Sequence, residues 1–244
     1  MPPRLFVDHP LRTLGDVFAL PPGAARHVQV LRLQPGDAVT LFDGHGGEWS
    51  AHIAAIDRRD VQVELLAHCE RECEASVAVT LALAMPANDR MDALVEKATE
   101  LGAAAIQPLL TERSVLRLAG ERARKRQAHW QAIAVAACEQ CGRNRVPQVH
   151  AVQGLAEWLT DLAPAVQHRA RLLLGWREAA GWAQAISNIG TSLILLSGPE
   201  GGLTMDEEGA ARLRGFACVT LGPRVLRADT APLAALAAIS LRSA

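Results

Sequence analysis

No apolar run among the 244 residues reaches the roughly 18–20 that a membrane-spanning helix needs. The opening Met1-Pro2-Pro3-Arg4 lacks the long apolar stretch of a secretion signal. A cytoplasmic protein with no membrane partner is the expectation. Five cysteines, an odd number, argue against a disulfide framework in a chain of this size. Cys138-Glu139-Gln140-Cys141 has C-x-x-C spacing, but a structural zinc would need two further ligands. The only other pair, Cys69 and Cys73, lies in a charged, linker-like segment, so no metal site is expected. Lysine is nearly absent: Lys97 and Lys125 are the only two, and arginine carries the remaining positive charge. There is no internal repeat, and no low-complexity tract beyond general alanine richness.

What is present is 50% hydrophobic and 21% charged, an ordinary balance for a globular protein. The length allows one large domain or two smaller ones. A net charge of −1 excludes a polycation, yet the charge is unevenly spread. Residues 111–147 hold eight Arg or Lys against three Glu, a local excess of +5, whereas residues 1–75 hold seven Arg against eleven acidic residues, a net of −4. Arginine makes bidentate contacts to phosphate and stacks on bases. The basic segment is therefore the better docking face for a nucleic acid, with a solvated helix face as the alternative.

The first seventy or so residues read as all-β. Leu5–Val7 is short and apolar, Ala38–Phe42 and Trp49–Ile56 flank the turn-rich Asp43–Gly47, and Val61–Leu66 alternates apolar and polar residues. This region looks like a small barrel, with Glu70–Ser76 as a linker. From Val77 the rhythm changes to alternating strands and helices. Strands are expected at Val77–Met85, Ile106–Leu110, Val146–His150, Leu172–Gly175, Leu193–Ser197 and Cys218–Gly222. Helices are expected from Met91 to Leu101, with Asn88 as a cap and Gly102 as a stop, over Arg122–Cys141, and over Thr230–Leu241. This alternation predicts a mostly parallel sheet covered on both faces.

Two glycine turns stand out. Leu193-Ile-Leu-Leu-Ser-Gly-Pro-Glu-Gly-Gly202 is a buried strand running into a glycine-rich turn, followed by an acidic, helix-like segment. About twenty residues on, Val219-Thr-Leu-Gly-Pro-Arg-Val-Leu-Arg227 repeats the pattern. Such turns at the carboxyl ends of strands are where α/β proteins bind ligands. Neither turn is a phosphate loop, a dinucleotide fingerprint or a hydrolase elbow. A ligand with an adenosine and an amino-acid end, gripped by backbone groups, suits them better, and Glu200 would tolerate a cation. Tight turns with no ligand are the bland reading of either turn alone.

The segments Leu196–Gly202 and Leu221-Gly-Pro-Arg-Val-Leu-Arg-Ala-Asp-Thr-Ala231 resemble the C-terminal signature of RsmE-type 16S ribosomal RNA (uracil-N3) methyltransferases, members of the SPOUT superfamily of knotted methyltransferases. Arg4-Leu-Phe-Val, His27-Val-Gln-Val-Leu-Arg32, Glu96–Gly102, and Glu139-Gln-Cys-Gly-Arg143 with Pro147 extend the resemblance along the chain. The resemblance implies an α/β fold: a SPOUT-type parallel sheet with a C-terminal trefoil knot over residues 73–244, preceded by a small PUA-like β-barrel, RNA-binding, over residues 1–72. It implies S-adenosyl-L-methionine as cofactor, 16S rRNA of the small ribosomal subunit as partner, and a homodimer. Cofactor contacts then fall on Leu174, Gly175, Ser197, Gly198, Pro199, Glu200, Gly201, Leu221, Gly222, Val225 and Leu226.

Uracil N3 carries a proton at neutral pH, so methylation there needs that proton removed or the anion stabilised. The candidates are Arg143, Arg224 and Arg227 for the anion and Asp229 for the proton. Where the family has Arg-x-Glu-Thr-Ala, this chain has Arg227-Ala-Asp-Thr-Ala231. Asp229 is also a preferred helix N-cap, and capping is the favoured reading. Arg4, Arg32, Arg113 and Arg145 are the RNA-contact candidates. Two alternatives stay open: a SPOUT enzyme acting on another RNA atom such as a ribose 2′-hydroxyl, and a non-catalytic RNA-binding or assembly protein.

Overall fold

A computed structural model describes residues 2–58, 60–86, 90–164, 169–187 and 189–241. These fall into two compact units: residues 1–74 with 135–146, and residues 75–134 with 147–244. This grouping differs from a linear cut near residue 72 by drawing the segment 135–146 into the first unit.

The first unit holds β1 (Arg4–Phe6), β2 (Val17–Ala19), α1 (Pro22–Val30), β3 (Ala38–Phe42), β4 (Glu48–Ile56) and β5 (Val61–Cys69). The strands form one sheet in the order β1-β3-β4-β5-β2, antiparallel except for the β1–β3 pair. Its core gathers Leu5, Val28, Val39, Leu41, Trp49, Ile53, Val61, Val63 and Leu65. The region is not all-β. Pro22 opens α1 at a first-turn position, where its missing N–H costs nothing, and Ala24, Ala25 and Val28 bury one face. Only nine residues long and with two alanines among its three buried positions, this helix was passed over in a reading by pattern.

The second unit comprises β6 (Ala78–Ala84), α2 (Arg90–Glu100), β7 (Ala103–Leu110), α3 (Gly120–Cys141, of which residues 120–134 belong here), β8 (Gln148–Val149), β9 (Gln153–Gly154), α4 (Leu155–Asp161), β10 (Arg169–Leu174), β11 (Ala180–Gly181), α5 (Trp182–Ala185), β12 (Ser192–Ser197), α6 (Met205–Leu213), β13 (Ala217–Thr220) and α7 (Thr230–Ser240). Asn88, expected to cap α2, lies outside the described residues. The sheet runs β11-β13-β10-β12-β6-β7-β8, with β9 also on β7, and its strand pairs are all parallel. Side chains alternate between faces along a strand. Ile194 and Leu196 of β12 pack with Leu155, Trp158 and Leu159 of α4 and Ala211 of α6. Leu193 and Leu195 are buried on the opposite face, where α7 packs on β12 and α2 on β7. Both faces are thus covered, which is why β12 is continuously apolar. No helix is long and apolar enough to cross a membrane among the described residues.

Candidate ligand cavity at the carboxyl ends of three strands

β10 lies between β13 and β12, and all three run in the same direction. Leu174 at the end of β10 is in register with Ser197 on one side and Val219 on the other. The loops leaving these strands therefore start side by side at one sheet edge, and together they line a cavity of about 430 Å³. Leu174, Gly175, Ser197, Gly198, Pro199, Glu200, Gly201, Leu221, Gly222, Val225 and Leu226 are all on its wall, as are Arg113, Arg224 and Arg227.

The first glycine turn is closed by Gly202 N–H donating to Pro199 O (2.8 Å). Arg113 donates to Gly201 O at 2.9 Å, a tie from residues far away in sequence. The turn delivers the chain to α6 through a capping box: Thr204 accepts from Glu207 N–H (3.2 Å), and the Glu207 carboxylate accepts from Thr204 N–H (2.9 Å). Glu200 stands 3.9 Å from Arg90. In the second turn Gly222 has φ +120°, a conformation that glycine adopts readily and L side chains rarely do. Its N–H donates to Thr220 Oγ1 at 3.3 Å. Gly175 donates to Val219 O (2.9 Å), and a Cβ at Gly175 would meet Cys218 Sγ at 2.8 Å. The third wall thus needs glycine for close packing. Burial pushes the Cys218 thiol pKa up.

The remaining expected residues lie elsewhere. Arg143 does not line the cavity. It is buried in the first unit, where its Nε donates to Glu74 Oε1 at 3.0 Å and the two groups form an ion pair. Burial alone would lower its pKa, but the hydrogen bond and charge of Glu74 outweigh that and leave it raised. Arg4 is likewise buried, held by Glu48 and the Asn144 side chain, so neither guanidinium is presented to phosphates. Arg145 is half-exposed and 3.2 Å from Glu72. Arg32 is exposed, with φ 55° just after α1. The basic run is correspondingly dispersed: Lys125 pairs with Glu121, Arg126 lies 4.0 Å from Asp92, and Arg143 and Arg145 face glutamates of the linker-like segment. Four of its eight cations thus lie beside carboxylates, and Arg143 is buried.

Asp229 occupies the N-cap position of α7 but makes no capping hydrogen bond, and its backbone is already helical. Its Oδ1 is buried without a hydrogen-bond partner. Capping, the favoured sequence reading, is thus not what this side chain does. Of the C-x-x-C cysteines, Cys138 is buried, and burial first of all pushes its thiol pKa up to about 12. Sequence reasoning passed over Trp176 and Arg177, which also line the cavity. Their position directly after Gly175 was the available signal.

The chain matches the RNA methyltransferase domain family over residues 73–240 and the RNA methyltransferase PUA domain family over residues 20–66. It is 37% identical over 215 residues to the ribosomal RNA small subunit methyltransferase E of Synechocystis, covering 87% of this chain and 68% of that protein. To the Bacillus subtilis protein of the same name it is 34% identical over 223 residues, covering 88% and 86%. A crystal structure of the Neisseria gonorrhoeae ribosomal RNA small subunit methyltransferase E bound to S-adenosyl methionine superposes with a TM-score of 0.91 at 38% identity, covering 98% of this chain and 97% of that one. With a parallel sheet whose glycine turns converge on one cavity, and with likeness of this extent in both units, the chain belongs to the ribosomal RNA small subunit methyltransferase E family.

Proposed function

We propose that this protein methylates N3 of a uracil in 16S rRNA of the small ribosomal subunit, using S-adenosyl-L-methionine. The observation that carries the reading is the convergence of the β10, β12 and β13 loops on one cavity. The residues fit the cofactor. The volume lies in the range of small-molecule sites, roughly 300–1,000 Å³. The walls combine glycine-turn backbone with Leu174, Leu221, Val225 and Leu226, suited to a nucleoside, and Glu200 offers a negative charge for a cationic ligand.

When bound, S-adenosylmethionine would supply an electrophilic methyl group. The chain must then expose the N3 lone pair. Arg224 and Arg227 are exposed on the second glycine loop and would stabilise negative charge developing on the uracil oxygens. Asp229, two residues beyond Arg227, has an unpartnered Oδ1, but that oxygen is buried and the residue does not line the cavity, so this geometry does not support it as the acceptor of the N3 proton. Arg113 steadies the first turn from the rim. Arg4 and Arg143 act as internal braces of the first unit.

Likeness to the family also supports the finer architecture: residues 1–72 as a PUA-like barrel for RNA, and residues 73–244 as a methyltransferase domain whose last strands and α7 form a trefoil knot. Threaded connections are rare enough that strand order alone does not announce one. A homodimer in the cytoplasm completes the reading; the dimer is supported by α7, which carries no charged residue and is followed by Leu241, 76% exposed.

The test is nucleoside mass spectrometry of 16S rRNA from a deletion strain. Loss of 3-methyluridine, restored by the intact gene, is expected. Undiminished 3-methyluridine would sink the proposal.

A further inference from the structure

The chain has five tryptophans, four phenylalanines and no tyrosine, and of these only Trp176 is exposed, at 65%. It stands at the carboxyl end of β10 on the rim of the cavity. The loop that carries it is firmly built. Glu178 has φ 48°, a left-handed conformation that a non-glycine residue holds only when its surroundings enforce it. Beside it, Arg212 donates to Arg177 O at 3.1 Å and lies 3.7 Å from the Glu178 carboxylate. The described lining of the cavity holds four arginines, Arg113, Arg177, Arg224 and Arg227, and two carboxylates, Glu200 and Glu208.

We propose that Trp176 is a stacking platform for a nucleobase of the RNA substrate, with Arg177 beside it receiving an adjoining phosphate. This rests on the methyltransferase reading and adds how the RNA is held. N3 lies on the Watson–Crick edge of uracil and is inaccessible in a pair, so a base must be splayed out before it can react. Proteins hold splayed RNA bases on aromatic faces and arginine planes. Here an exposed indole and an arginine-rich rim meet at one cavity mouth. The ring is given to the RNA because 65% of the residue lies open to solvent.

The experiment compares wild type, Trp176→Ala and Trp176→Phe. Affinity for in vitro transcribed 16S rRNA and for purified small subunits is measured by filter retention, and affinity for S-adenosylmethionine by calorimetry. Trp176→Ala should weaken RNA binding by about tenfold or more, the size of one lost base stack. Trp176→Phe should retain most of it, and cofactor affinity should not change in either. RNA affinity unchanged in Trp176→Ala overturns the proposal. So does a loss of cofactor affinity with RNA binding intact, which would assign the indole to the cofactor. Methylation by wild type is assayed alongside: if wild type binds RNA and does not methylate it, the methyltransferase reading fails, while the binding comparison still decides the role of Trp176.

Discussion

Arg227 and Arg143 both sit in segments that carry the family resemblance, and the fold uses them in opposite ways. The Arg143 guanidinium is buried against Glu74, 69 residues away in sequence. Removing it would leave a partly buried carboxylate uncompensated, a stability effect. Arg227 is exposed on the cavity wall with no side-chain partner among the described residues. Arg227→Ala should lower turnover at least about tenfold with cofactor affinity little changed, the signature of a group that acts on charge arising in the reaction. Single-turnover kinetics with calorimetry would check it, and unchanged turnover would remove Arg227 from the mechanism. The Arg-x-Asp-Thr-Ala motif was legible as local sequence. That Asp229 leaves α7 uncapped was not, because a cap depends on the dihedral angles the tertiary fold imposes on its own backbone.

At the scale of elements, the parallel strands, the helices following them and both glycine turns were legible from apolar runs and turn residues. The missed features were short: β2, α1, β9 and β11 each offer too few residues for a period to show. The cavity depends on how closely β10 and β13 pack. Gly175→Ala would bring a methyl group to 2.8 Å from the buried Cys218 Sγ, and overpacking of this kind costs about 1–3 kcal/mol. Thermal denaturation should show a lower Tm, and calorimetry weaker binding of S-adenosylmethionine. Gly175→Ala combined with Cys218→Ala should recover much of the loss, since the second change removes the obstructing sulfur. Failure to recover would point to the backbone of Gly175 as the reason for glycine there.

Across the molecule, a net charge of −1 leaves RNA affinity to local clusters. Composition pointed to residues 111–147, but the fold pairs several of those charges with carboxylates and gathers Arg113, Arg177, Arg224 and Arg227 at one rim. If those four arginines each offset one negative charge of the bound RNA, log affinity for 16S rRNA should fall with log salt with a slope of about −3. Replacing Arg224 and Arg227 by alanine should roughly halve that slope. A slope unaffected by the double replacement would move the docking face elsewhere.

Sequence by itself determined the alternating strand–helix order, the two glycine turns and the motifs that identify the family, because each is a local pattern of apolar spacing, turn chemistry or residue identity. Only the tertiary structure decided that the turns meet. Their meeting requires β10 to lie between β12 and β13 in a parallel sheet, and strand order is a property of long-range pairing that no window of residues encodes. It also decided which arginines are spent on internal ion pairs and which remain exposed, since a buried charge must find its counter-charge wherever the fold brings one.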